Sequence, residues 1–294
     1  SQGPALHPHV TRLGPPLHCL IDGAPNEALP VTDRGLSYGD GLFETLWVRA
    51  GRPCQWGRHW ARLVRGCLRL GLSPPQESIL ADEVGRLLQG ACSGVLKILV
   101  TRGDGGRGYA PPPAPSPRRI LVLYPVPDYP TDWSATGVVV RLCQTPATQN
   151  PALAGLKHLN RLDSVLARSE WSDPGIAEGL MAGPEGEMVG GTMTNLFLWD
   201  GSTLRTPVID RCGIAGTVRD LTLELAAGLG IACVETPMGA ADLLSARGIF
   251  LTNSLIGAWP VRQLGGRDLD PGALPLELVA TIQRRSQTPD EGCP

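Results

Sequence analysis

The sequence predicts a two-domain α+β protein, and three observations carry that prediction. Its 294 residues suffice for one large or two modest domains with buried cores. Segments of strand and helix character alternate only in part, which favours mixed sheets over a doubly wound parallel one. A proline-bearing stretch at 125–136 (PVPDYPTDWSAT) breaks the pattern between two halves. The expected organisation is a flexible leader at 1–17, a small α+β domain at 18–127 and a linker at 128–136. A larger domain at 137–285 and a loose polar tail at 286–294 follow.

Taken in order, residues 18–24 (HCLIDGA) read as a strand and turn, and 31–41 (VTDRGLSYGDG) as a glycine-rich loop. Residues 42–48 have strand character. In 56–70, Trp56, Trp60, Leu63, Val64, Cys67 and Leu70 recur at helical spacing. A second helix is expected at 78–88 and strands at 95–100 and 119–124, with glycine and proline breaking up 101–117 between them. Beyond the linker, 137–142 reads as a strand and 156–171 as a helix. Strands are expected at 177–181, 188–189, 196–199 and 249–251, and a helix at 218–228.

Composition excludes several classes. A hydrophobic fraction of 42% with 18% charged residues is that of a globular protein. A net charge of −2 argues against a nucleic-acid face or a basic membrane surface. No apolar run reaches the roughly 18 residues of a spanning helix, and 1–17 lacks the apolar core of a secretory signal. Eight cysteines without CxxC spacing read as reduced thiols in a cytoplasmic protein. No GxGxxG follows a strand and no Walker lysine occurs, so nucleotide folds find no support. One bias is informative: of 26 basic residues only Lys97 and Lys157 are lysines. Lysine, unlike arginine, can lose its proton near neutral pH.

Four segments carry chemistry, each with an ordinary structural reading beside it. Lys157 in 155–163 (GLKHLNRLD) lies where the chain enters an apolar segment, a sheltered place for a Schiff-base lysine or simply a helix start. Gly213 to Asp220 (GIAGTVRD) leads into a helix, whose exposed amides suit an anion or form a plain cap. Thr252 to Gly257 (TNSLIG) offers hydroxyls and amides to a phosphate, or makes a turn. In 101–109 (TRGDGGRGY), two arginines and a tyrosine suit a carboxylate-bearing substrate, or make a solvated loop.

Together these segments resemble the fold-type IV pyridoxal-phosphate enzymes, the D-amino acid aminotransferase-like family, over residues 18–285. The DRG and YGDG runs in 33–41 are similar to its entry motif. His59, Arg62 and Leu63 match its HxxRL helix, and the resemblance implies that Arg62 binds the cofactor phosphate. Gly216, Thr217 and Val218 match its phosphate turn, Ser254 falls where a further phosphate hydroxyl is expected, and Asn195 belongs to its E-x-x-x-x-N-x-F pattern. Lys157 would carry pyridoxal 5'-phosphate and act as the catalytic base. GLKHLNRL and RGDGGRGY are similar to the forms of the family's aminodeoxychorismate lyases, which place Tyr109 and Arg107 at the substrate. The implied function is conversion of 4-amino-4-deoxychorismate to p-aminobenzoate and pyruvate in folate biosynthesis, by a homodimer without a metal. An aminotransferase of the same fold, and a degenerate cofactor-binding protein, are the rival expectations. One position departs from the pattern: Gly190 stands where the family has the glutamate that pairs with the cofactor's pyridine nitrogen. The nitrogen would then meet water, a neighbouring hydroxyl such as Thr192, or nothing, and Glu187 would substitute only if Gly190 and Gly191 form a bulge. On this reading turnover is slow and Gly190→Glu raises it.

Overall fold

The structure is a computed structural model that describes residues 18–291; the leader at 1–17 and residues 292–294 lie outside them. The N-terminal half holds β1 (His18–Ile21), β2 (Ala24–Pro25), α1 (Arg34–Tyr38), β3 (Gly41–Arg49), β4 (Arg52–Pro53), α2 (Trp56–Arg69), α3 (Glu77–Leu87), β5 (Ser93–Thr101) and β6 (Arg118–Tyr124). Its strands form one antiparallel sheet in the order β2-β1-β6-β5-β3-β4. Alternation decides its two faces. Leu42, Leu46 and Val48 of β3, with Leu96, Ile98 and Val100 of β5, are buried in one core with Trp56, Leu63 and Cys67 of α2 and Leu80 and Val84 of α3. Phe43, Thr45, Trp47, Lys97 and Leu99 point to the other face and are half-buried.

Then come α4 (Trp133–Thr136), β7 (Val138–Leu142), α5 (Leu162–Arg168), β8 (Ile176–Ala182), β9 (Met188–Gly191), β10 (Asn195–Trp199), β11 (Thr203–Pro207) and α6 (Thr217–Gly228). The chain ends with β12 (Ala232–Thr236), α7 (Ala240–Ser245), β13 (Gly248–Asn253), β14 (Gly257–Leu264), β15 (Arg267–Asp268) and α8 (Leu276–Ser286). The second sheet is mixed, ordered β12-β11-β10-β13-β14-β7-β8-β9, with β15 pairing β14. Its β11–β12, β14–β7 and β7–β8 pairs are parallel. Phe197 and Phe250, fully buried and stacked with centroids 5.0 Å apart, pack on one side of it with Val218 of α6 and Leu278 and Ile282 of α8. Each such aromatic contributes about 1.5–3 kcal/mol by leaving water.

Four expectations need correction. The loop at 31–41 contains α1, because Asp33 caps it by accepting from the amides of Gly35 and Leu36 and Gly39 ends it at φ 63°. The linker contains α4. The helix expected over 156–171 is confined to α5: before it, the Lys157 carbonyl accepts from the Phe43 amide at 3.0 Å and the Leu159 amide donates to the Gly41 carbonyl at 3.1 Å. Pairing with β3 there replaces helical bonds, a tertiary contact that periodicity does not reveal. The tail is docked as far as Asp290, whose carboxylate accepts from the Gly57 amide at 2.9 Å, while Pro289 bridges to Cys54. Among the described residues, no helix is long and apolar enough to cross a membrane.

Candidate functional site

The site forms where three segments are stitched together by backbone. Gly155, at φ 85°, pairs with Ile214; its amide donates to the Gly213 carbonyl at 2.9 Å, and its carbonyl accepts from Ala215 at 3.1 Å. The lysine segment is thereby fixed to the turn before α6 on one side and to β3 on the other. Lys157, Glu44, Arg62, Leu42, Gly155 and Ala215 line a cavity of about 120 Å³.

Lys157 keeps some open surface, but its amine lies deep in the protein, 4.2 Å from the centre of the Phe43 ring. Burial, then the nearby Arg62 charge, bring its pKa down to about 7. Much of this amine is therefore neutral at physiological pH, as a nucleophile or base must be.

Arg62 reaches the cavity from α2. It donates through Nε to Glu44 Oε1 at 2.8 Å, through Nη2 to Glu44 Oε2, and through Nη1 to the Ala215 carbonyl at 3.2 Å. His59, on the preceding turn, contacts the same carboxylate through Nδ1. Burial alone would raise the Glu44 pKa, but Arg62 and His59 outweigh it and hold the group at about 2. Glu44 occupies Nε and Nη2, so Nη1, which also reaches the Ala215 carbonyl, is the edge of Arg62 turned toward the α6 turn.

At that turn, Asn195 donates through Nδ2 to the Ile214 carbonyl at 2.9 Å. A Cβ on Gly216 would stand 2.0 Å from Asn195 Oδ1, so only glycine fits beside it. No side chain caps α6, leaving the amides of Thr217 and Val218 without an intrahelical acceptor. Thr252, opposite Asn195 in the ladder, has a buried Oγ1 with no partner. An uncapped helix end, an orphaned buried hydroxyl, an arginine edge and a glycine cradle beside a deprotonable lysine fit a phosphorylated aldehyde such as pyridoxal 5'-phosphate. Ser254 takes a different contact, donating to the Thr45 carbonyl at 2.6 Å and so bridging the two halves.

The remaining sequence-predicted residues are not brought to Lys157. Tyr109 is 84% exposed and stacks edge-on against Tyr38 at 5.3 Å, and Arg107 is exposed. Tyr109 lines a separate cleft of about 290 Å³ with Arg34, Arg102, His158 and Asn160. Neither proposed stand-in at the Gly190 position is free. The bulge in β9 falls at Val189, not at Gly190 and Gly191, and Glu187 accepts from Gln149 and from the Glu185 amide. Thr192 donates its hydroxyl to Glu178 at 2.6 Å.

Sequence reasoning missed two supporting residues, Glu178 and Glu44, and gave Arg34 of the entry motif no role. Glu178 is fully buried and receives Thr192, Met193 and Thr194, fixing the loop between β9 and β10. Glu44 neutralises Arg62. Arg34 donates to the carbonyls of Gly108 at 2.9 Å and Tyr109 at 2.7 Å, anchoring the glycine-rich loop. The available signal for both acids was a lone glutamate within an apolar strand pattern, which a buried partner must explain.

Comparison with known proteins bears on this geometry. The family described as Amino-transferase class IV matches residues 41–264. An aminodeoxychorismate lyase of Vibrio harveyi is 31% identical over 242 residues, covering 82% of this chain and 89% of that protein. The crystal structure of 4-amino-4-deoxychorismate lyase from Pseudomonas aeruginosa superposes with a TM-score of 0.87 at 46% identity, covering 92% of this chain and all of the other. A branched-chain-amino-acid aminotransferase of Salmonella typhimurium is 28% identical over 259 residues, covering 82% of each.

Proposed function

We propose that this chain, which belongs to the class IV aminotransferase family, is a pyridoxal-phosphate-dependent lyase converting 4-amino-4-deoxychorismate to p-aminobenzoate and pyruvate. The observation that carries the reading is the Lys157 amine, its pKa brought down to about 7 by burial, in one cavity with Arg62 and with Ala215 of the turn before α6. Similarity to two lyases of that name supports the substrate.

Arg62 and the amides of Thr217 and Val218 would hold the cofactor phosphate, and Asn195 keeps their turn in place through the Ile214 carbonyl. When bound, the cofactor supplies an electron-poor ring that stabilises negative charge at the substrate carbon beside the amino group. Lys157 removes the proton from C4 and delivers a proton to the methylene carbon of the departing enolpyruvyl group. Phe43 shields the amine on one side, so its proton moves to substrate in preference to water. Aromatisation of the product ring drives the reaction forward.

We assign the active form as a homodimer. Leu162, Val165 and Leu166 are 69%, 55% and 56% exposed along α5, an apolar stripe suited to a second copy. A cytoplasmic setting suits the free thiols of Cys19, Cys67, Cys92, Cys143, Cys212 and Cys233.

The test is to supply aminodeoxychorismate to the cofactor-loaded protein and follow p-aminobenzoate fluorescence. Steady conversion of D-alanine or a branched-chain amino acid with 2-oxoglutarate, without p-aminobenzoate, would assign the chain to the aminotransferases. That alternative has its own support in the similarity to the Salmonella typhimurium enzyme.

A further inference from the structure

The groups assigned to the cofactor phosphate come from different halves of the chain. Arg62 belongs to α2, whereas the amides of Thr217 and Val218 begin α6. Their spacing therefore depends on how α2 lies against α6. Arg58 stands one turn before Arg62, and residues four apart share one side of a helix. Its guanidinium reaches across to α6: Nη1 donates to Asp220 Oδ2 and Nη2 to Glu224 Oε2. Asp220 and Glu224 are themselves four apart, so the two carboxylates meet one fork side by side.

The Arg58 side chain is 23% exposed, although both of its acid partners are mostly open to water. Burial alone would lower the Arg58 pKa, but the bonds to Glu224 and Asp220 outweigh it and raise it. Arg62 itself reaches the α6 turn only through Nη1 and the Ala215 carbonyl at 3.2 Å, the long end of the hydrogen-bond range. A phosphate that engages Nη1 competes with that carbonyl, whereas Arg58 keeps its own acceptors. The start of α2 is tied elsewhere. Gln55 donates to the Arg285 carbonyl and the Gly57 amide to Asp290, each at 2.9 Å. Loss of Arg58 therefore frees the seam facing α6 and leaves the helix in place.

We propose that Arg58 is a positioning residue for the cofactor phosphate, holding Arg62 in register with the turn before α6 through Asp220 and Glu224. This rests on the reading of that turn as the phosphate site. Arg58 does not line the cavity of Lys157 and acts through Arg62. Its contribution is confined to the phosphate and does not extend to the aldehyde, which Lys157 meets. A guanidinium suits the task because its fork gives each carboxylate a nitrogen of its own, whereas a lysine offers one nitrogen to the pair.

The experiment titrates the cofactor-free full chain with pyridoxal 5'-phosphate and with pyridoxal, the same aldehyde without the phosphate, and takes the ratio of the two affinities. Wild type should prefer the phosphorylated form. Arg58→Met should lose about threefold to tenfold of that preference, the scale of two partly exposed ion pairs, with pyridoxal affinity nearly unchanged. Arg58→Lys should keep part of the preference, and it carries the comparison if the methionine variant does not fold. In an Arg62→Met background, Arg58→Met should cost nothing further, because its effect passes through Arg62; a fully additive loss overturns the proposal. Asp220→Asn with Glu224→Gln breaks the bridge from the other side and should lower the preference too, although two negative charges leave the helix end. A higher preference there, or an unaltered one in the Arg58 variants, overturns this proposal alone. A wild type that binds pyridoxal as tightly as its phosphate overturns the reading of the turn, and this proposal with it.

Discussion

The cradle around Lys157 and the glycine-rich loop bearing Arg107 and Tyr109 are built in opposite ways. The cradle is held by backbone bonds from three segments, and its lysine already has a pKa of about 7. The loop is fastened at its carbonyls by Arg34, while its own functional side chains stand in solvent. The first is a pre-formed site in which removing one group leaves others uncompensated. The second presents groups whose contribution depends on what arrives. Changes in the cradle should therefore act on cofactor binding and chemistry, and changes in the loop on substrate affinity alone.

The largest effect is expected for Lys157→Ala, which removes the base. Turnover should fall by at least about 10²–10⁴-fold, and borohydride reduction followed by peptide mapping should find no adduct. In wild type the adduct belongs on Lys157; an adduct on Lys97 with Lys157 unmodified would end the assignment.

Arg62→Ala and Gly216→Val come next. Losing charged hydrogen bonds worth about 1.5–3 kcal/mol should weaken cofactor binding about tenfold to a hundredfold. A valine at 216 meets the Asn195 amide and should weaken it comparably. Unchanged cofactor affinity in both variants would mean that the phosphate lies elsewhere.

Gly190→Glu sharpens the comparison from inside the cradle. The expectation of faster turnover meets a steric objection: a Cβ there would lie 2.6 Å from the Thr194 carbonyl, which already accepts from the Gly191 amide. We expect a loss of about 1–3 kcal/mol in stability and no gain in turnover with cofactor saturating. A faster enzyme would show that β9 yields and that the ring nitrogen had lacked a partner.

The pH dependence of cofactor attachment is a milder probe. Below about pH 7 Lys157 is an ammonium and cannot attack an aldehyde; above it the free amine is present. The attachment rate of the apoprotein, followed by absorbance, should therefore rise through pH 7 and level off. A rise continuing toward pH 10 would mean that the amine is not shifted. The smallest effects belong to the loop. Arg107→Ala and Tyr109→Phe should leave cofactor affinity unchanged and raise KM by no more than about fivefold, the scale of exposed charged contacts. Weakened cofactor binding in either would show that the loop closes on the cradle.

The sequence by itself determined a good deal here. Strand character in 42–48 and helical spacing in 56–70 mark β3 and α2, because each is a local pattern along its own length. The scarcity of lysine directs attention to Lys157 before any fold is known, and the glycines at 213 and 216 mark the turn because backbone approach excludes a side chain. What only the tertiary structure decided are relations between segments distant in sequence. Pairing with β3 shortened the helix expected after Lys157, since hydrogen bonds to a neighbouring strand replace those to the next turn. Glu44 became the partner of Arg62, and Glu178 the fastening of the loop before Asn195, because burial makes an unpaired carboxylate too costly to keep. Arg107 and Tyr109 share a promising motif with their neighbours, yet the fold leaves them exposed. The same fold brings Lys97, sixty residues from Lys157 in sequence, to the ring that covers it, because register across β3 and β5 aligns Phe43 with Leu99, two residues from Lys97 on the same face.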